Sequence, residues 1–218
     1  MDPYLKEKIK KLSTSKTGSE EIEKLLDQYV KIHPDDIEAW IRLAVTVFRP
    51  PIADYDKSID CLKKAIEVDS DCLKAILILM RMQDTIYQEI DENVFRKINS
   101  IEATGVEEQS MIEFAKSWYF ESKQMWDEYA SHLKKSIELY PKHVLNHIYL
   151  GYYYIDKGKQ EEGKSFLIQG LKNIQYIYQD DDCFYDVSDY DEFINERIKG
   201  IHATYVIYES LEERIKSL

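Results

Sequence analysis

Glycine and proline are scarce in this chain, 7 and 5 among 218 residues. Tight turns therefore cannot recur often, which speaks against an all-β fold and for long helices joined by short bends. Cysteine is scarcer still. Cys61, Cys72 and Cys183 form no CxxC pair, which excludes a disulfide framework or thiolate zinc site and points to reduced, buried thiols in a cytoplasmic protein. Cations are the minority charge, 29 against 41 acids, for a net charge of −12. That balance excludes a nucleic-acid backbone or an anionic membrane as partner, because both are held by clustered cations, and it favours a protein or peptide of basic character. No stretch approaches the uncharged apolar length of a membrane span, and the opening residues Met1 to Lys8 carry charge at once, unlike a signal peptide. P-loop, dinucleotide and nucleophile-elbow motifs are missing, and no cysteine lies in a motif. The chain is expected to be non-enzymatic, with no cofactor and no metal.

What is present is repetition. Leu62-Lys63-Lys64-Ala65-Ile66-Glu67-Val68 returns as Leu133-Lys134-Lys135-Ser136-Ile137-Glu138-Leu139, and more faintly from Leu167 to Asn173. The second interval is that of one helical-repeat unit and the first about twice as long, which marks stacked helical pairs, each unable to bury its apolar face alone. With 44% hydrophobic and 32% charged residues, the chain has the material for a continuous core.

Boundary signals fill in the pairs. Asp2 and Pro3 open a first helix, and a second runs from about Ser19 to Pro34. Asp35 and Glu38 have capping-box spacing before a helix that ends at Pro50-Pro51, with Tyr55 opening its partner. Further pairs are predicted at 71–87 with 91–103 (Asp91 as cap), 107–123 with 126–140, and 142–157 with 160–178, the last bending at Gly158. Ser188 and Asp191 then read as the start of a single closing helix through Ile194, Ile198, Ile201, Tyr205 and Tyr208. The expected organisation is one continuous domain: an N-terminal pair at 1–34, repeats at 35–178, an acidic loop at 179–188 and a capping helix at 189–218.

Residues 144–175 resemble the tetratricopeptide repeat, with Leu150, Gly151 and Tyr154 in its L-G-x-x-Y order and Gly163 and Gly170 as small residues seven apart in the second helix. The copy at 37–70 matches through Trp40, Leu43, Ala44, Tyr55, Leu62 and Ala65, with a bend two residues longer. Between Ser110 and Pro141 the second helix fits through Trp126, Leu133, Ser136 and Pro141, while the first fits with Ala115 and Trp118 in the small and aromatic places if its bend is also longer. The segment 71–105 keeps size and periodicity but hardly any signature residues. The resemblance implies an all-α superhelix, a solenoid of antiparallel helix pairs with a C-terminal capping helix, whose inner wall is lined by the first helix of each pair. Carried onto this chain, it implies a partner-binding face that includes Arg49, Lys74, Arg81, Lys116, Tyr119, Tyr152 and Asp156. Ile41 and Val45 stand where chaperone-tail binders carry lysine and asparagine, so that subtype is not implied.

Two local features stand apart. His143 and His147 lie four apart on a predicted helix, but Val144, Leu145 and Asn146 between them lack the glutamate of a zinc protease motif, and no metal site is assigned. The segment from Asp180 to Glu192 is crowded with aspartate and tyrosine. Phe184 and Tyr185 break the EF-hand register there, which leaves either a solvated connector or a docking loop in which Asp181, Asp182, Tyr185, Asp186 and Tyr190 meet a basic partner. The functional expectation is a protein- or peptide-binding module. An inhibitor of a basic toxin acting through the acidic loop is the alternative, and a peptide-sensing regulator is the third reading.

Overall fold

Asp2 accepts the amide of Leu5 at 3.1 Å and opens the first helix, as the Asp2-Pro3 pair predicts. In the computed structural model, which describes residues 1–13, 18–177, 190, 194, 198–200 and 205–218, everything regular is helical and no strand occurs among the described residues. The chain divides into two compact units, Met1–Ile86 and Tyr87–Leu218. The first holds α1 (Pro3–Ser13), α2 (Gly18–Ile32), α3 (Ile37–Phe48), α4 (Tyr55–Val68) and nearly all of α5 (Leu73–Tyr87). The second holds α6 (Glu92–Ser100), α7 (Val106–Ser122), α8 (Trp126–Leu139), α9 (Val144–Asp156), α10 (Gln160–Ile177) and α11 (Tyr205–Ser217). No helix among the described residues is long and apolar enough to cross a membrane.

In the first unit the cap of α3 is Asp36, one residue beyond the predicted Asp35. Its carboxylate accepts the amide of Ala39 at 3.1 Å. Glu38 does not reach back to complete a capping box, because it is held by Arg42 at 2.8 Å and by Lys74 of α5 at 3.2 Å. Helices α3 and α4 meet across Leu43, Ala44, Leu62 and Ala65, all buried, and the Ser58 hydroxyl donates to the Ala44 carbonyl at 2.9 Å where they cross. Lys57 ties α4 to α2 through Glu23 and Asp27, both at 2.7 Å.

The second unit shows the repeat in its hydrogen bonds. At the α7–α8 bend the amides of Lys123, Gln124 and Met125 bond the carbonyls of Tyr119, Glu121 and Phe120; at the α9–α10 bend, one repeat on, Lys157, Gly158 and Lys159 bond Tyr153, Ile155 and Tyr154. Both bends place their middle residue at positive φ, Gln124 at 57° and Gly158 at 76°. The bends are therefore equal in length. This corrects the predicted register: Ser117 and Phe120, not Ala115 and Trp118, stand where Gly151 and Tyr154 stand. The stacks agree, since Phe120 lies on His132 at 4.9 Å and Tyr154 lies on Phe166 at 5.5 Å, nearly parallel in both.

Helices α9 and α10 approach through glycine. A methyl group on Gly163 would sit 2.6 Å from the Gly151 carbonyl oxygen, and one on Gly151 would sit 2.6 Å from the Leu167 side chain. Helices α7 and α8 use hydroxyls instead. Ser110 donates to the Ser136 carbonyl at 2.8 Å, Ser136 to the Ser110 carbonyl at 2.6 Å, and Asn146 of α9 reaches the Ser136 hydroxyl.

The closing helix predicted from Ser188 through Tyr208 is interrupted at Gly200, which adopts positive φ (68°), and α11 packs on α10. His143 gives α9 no side-chain cap; the Gly200 carbonyl accepts the amides of Val144 and Leu145 instead, at 3.1 and 3.0 Å. A side chain at Gly200 would strike Phe114 at 2.8 Å, so this docking needs glycine twice, for its φ and for its size. Ile194 and Ile198, just before it, are buried.

Candidate functional site

Consecutive tyrosines at 152, 153 and 154 point about 100° apart on a helix, and α9 uses each differently. Tyr154 is buried against Phe166. Tyr153 donates its hydroxyl to Asp127 at 3.1 Å, and Tyr152 remains 36% exposed. Tyr149, Tyr152 and Tyr153 form one wall of a cleft of about 480 Å³, facing Trp126 and Tyr129 from the start of α8. Glu121, Asp156 and Lys157 complete the rim. Trp126 is 43% exposed although it opens a helix with an apolar ring. Lys157 holds its ammonium 5.5 Å from the centre of the Tyr153 ring.

One junction earlier the same row is closed. Tyr119, which stands one repeat before Tyr153, stacks on Phe95 with centroids 3.7 Å apart and donates its hydroxyl to Glu92 at 2.8 Å. Tyr129, one repeat after Phe95, keeps its centroid 6.2 Å from Tyr153 and tilts by 55°. That separation is what opens the cleft. The lysine is repeated too: Lys123 lies over Tyr119 at 5.7 Å while pairing with Glu89 at 2.7 Å.

Helix α7 carries a buried carboxylate. Burial alone would raise the pKa of Glu113, but hydrogen bonds from His132 at 2.7 Å, Lys135 at 3.0 Å and Lys116 at 3.2 Å hold it down to about 2. The cluster pins α7 to α8. Lys116, expected on the binding wall, is thereby engaged with its own helix.

The other expected contacts disperse. Tyr152 and Asp156 share the cleft. Tyr119 is buried under Phe95 and cannot be an open contact without that stack separating. In the first unit Lys74 pairs with Glu38 and Arg81 with Asp84 at 2.8 Å, while Arg49 follows the end of α3. In the acidic segment Asp181, Asp182, Tyr185 and Asp186 lie outside the described residues, and Tyr190 is half-buried. His143 is buried at the start of α9, where loss of hydration pushes its imidazole down to about 4. His147 bonds the Pro141 carbonyl at 2.9 Å, as the Trp40 indole bonds the Pro34 carbonyl at 2.8 Å. The histidine thus fills a tryptophan place in the packing. Glu121, Trp126, Tyr129, Tyr149 and Tyr153 were not among the contacts expected from sequence; the pairs Tyr119/Tyr153 and Lys123/Lys157, each one repeat apart, were the signal that could have found them.

No protein-family model matches the sequence, and no curated protein matches it. Solved structures do. The PilW structure, a widely conserved type IV pilus biogenesis factor, superposes with a TM-score of 0.63 at 9% identity over 100% of this chain and 94% of its own. MamA from Desulfovibrio magneticus RS-1 gives 0.58 at 13% identity over 83% and 99%, and another MamA crystal structure gives 0.58 at 16% identity over 75% and 93%. The chain has the tetratricopeptide-like helical-repeat fold. In its terms, α7–α8 and α9–α10 are successive repeats, Gly151, Gly163 and Gly170 are the small residues of the second, and the cleft lies between the second helix of one repeat and the first helix of the next.

Proposed function

We propose that this chain is a non-enzymatic protein- or peptide-binding module, and that the α8–α9 cleft is its principal contact site. The observation that carries this reading is the partly exposed aromatic wall. Trp126 and Tyr152 keep large apolar surface in water within a concave, preformed site, and such rings supply most of the affinity when a partner dries them. The helices behind the wall are pinned by the Glu113 cluster and the glycine contacts, so little ordering is lost on association. A cytoplasmic setting is part of the same reading, supported by the free thiols of Cys61 and Cys72. The test is a selection from a random-peptide library displayed against the folded chain. Enriched peptides should bind wild type and lose at least about tenfold in affinity to Tyr152→Ala, with the helical circular dichroism unchanged. A selection that enriches nothing would sink the reading.

A further inference from the structure

The cleft between α8 and α9 presents ring faces and carboxylates together, and that combination selects a cation. Five aromatic side chains line it, and Glu121 and Asp156 stand at its rim with Lys157 as the single basic residue among those described. Asp127, just outside, accepts the Tyr153 hydroxyl, which adds electron density to the ring that faces the cleft. The faces of indole and phenol rings attract ammonium and guanidinium groups, most strongly where water is excluded.

The molecule demonstrates this chemistry on itself. At the closed junction the Lys123 ammonium lies over Tyr119 and pairs with the Glu89 carboxylate, so ring and acid hold one cation between them. At the open junction Lys157 lies over Tyr153, but residue 123, which stands where an acid would match Glu89, is the lysine itself. The carboxylate instead comes from Asp156, which is exposed and has no ion pair among the described residues. The closed copy is satisfied internally. The open one has its ring spread to 6.2 Å and an acid left over.

Resting on the binding reading above, we infer that the α8–α9 cleft receives an arginine or lysine side chain presented by a partner polypeptide, seated on Tyr152 and Trp126 and paired with Asp156. Charge complementarity argues for this occupant over an apolar one. An aliphatic anchor would leave Asp156 beside a dried surface without a counter-ion, which is costly, whereas a cation satisfies the ring and the acid at once. The net charge of −12 draws basic segments toward the protein over a longer range.

The experiment uses peptides enriched against the full chain from the random library. Each arginine or lysine is replaced in turn by norleucine, and affinity is measured for wild type, Trp126→Ala and D156K. Both substituted residues are exposed, and urea midpoints confirm that each variant folds. One basic side chain in the peptide should be worth about tenfold in affinity to wild type and nothing to D156K, and reselection against D156K should enrich acidic peptides. Peptides that lose affinity to Trp126→Ala but tolerate norleucine everywhere would overturn the cation while leaving the binding module standing. Basic peptides indifferent to both substitutions would overturn the site. An empty selection would end both.

Discussion

The α6–α7 and α8–α9 junctions are built on one plan and end differently. Each sets a tyrosine of the first helix, Tyr119 or Tyr153, beside an aromatic residue of the preceding helix, Phe95 or Tyr129, and each lays a lysine over the tyrosine. At the first junction the rings stack at 3.7 Å and no space remains; at the second they stand 6.2 Å apart and a cleft opens. A repeat protein can therefore make a site by relaxing one contact that its neighbour keeps tight, while the two repeats keep the same bend.

The comparison depends on rigid repeats, and the strongest way to break it is Gly163→Ala. The added methyl would meet the Gly151 carbonyl at 2.6 Å, and because that neighbour is backbone the helices must part. A loss of about 3 kcal/mol in urea unfolding is expected. Acid should act almost as strongly. The folded chain keeps His143 neutral down to about pH 4, whereas an unfolded imidazole titrates near 6.5. Between those values the unfolded state binds the extra proton, so stability falls as pH falls, by on the order of 3 kcal/mol, and does not return below pH 4. Glu113 adds a second loss, from its ordinary carboxyl range down to about 2, since its depressed pKa is stabilising only while it stays ionised. Urea midpoints measured from pH 7 to 3 should show the upper window shrink in His143→Asn, with the remainder owed to the buried His147, and the lower one shrink in Glu113→Gln.

Phe95→Ala would open the closed junction. It should cost about 2 kcal/mol, the usual loss for a partly buried ring, and expose Tyr119 to quenching or chemical modification. An unmodified Tyr119 in that variant would show that the stack is not what covers it. The smallest effect sharpens the contrast. Tyr119→Phe removes a part-buried bond to Glu92 and should cost up to about 1 kcal/mol, while Tyr153→Phe, whose bond to Asp127 is open to water, should cost less than about 0.5 kcal/mol.

Much of this was legible in the chain before folding. Helix caps at Asp2 and Asp91, the bend at Gly158 and the glycines of α9 and α10 are local or near-local features, and each stands where its residues predict. A small part of the cleft lining was legible as well, since Tyr152 and Asp156 lie on one helix in a recognisable repeat. The opposite wall was not. Trp126 reads as a packing residue of its own helix, and nothing near it in sequence reveals that Tyr153 lies across from Tyr129.

Periodicity, charge balance and glycine placement determined by themselves that this protein is built of helical pairs, because those properties act through neighbours along the chain. Tertiary structure alone decided the register of α7, the capping of α9 by the Gly200 carbonyl and the opening of the cleft. Each of those depends on which atoms from separate helices come within a few ångströms of one another, and that distance is set by packing rather than by any local preference.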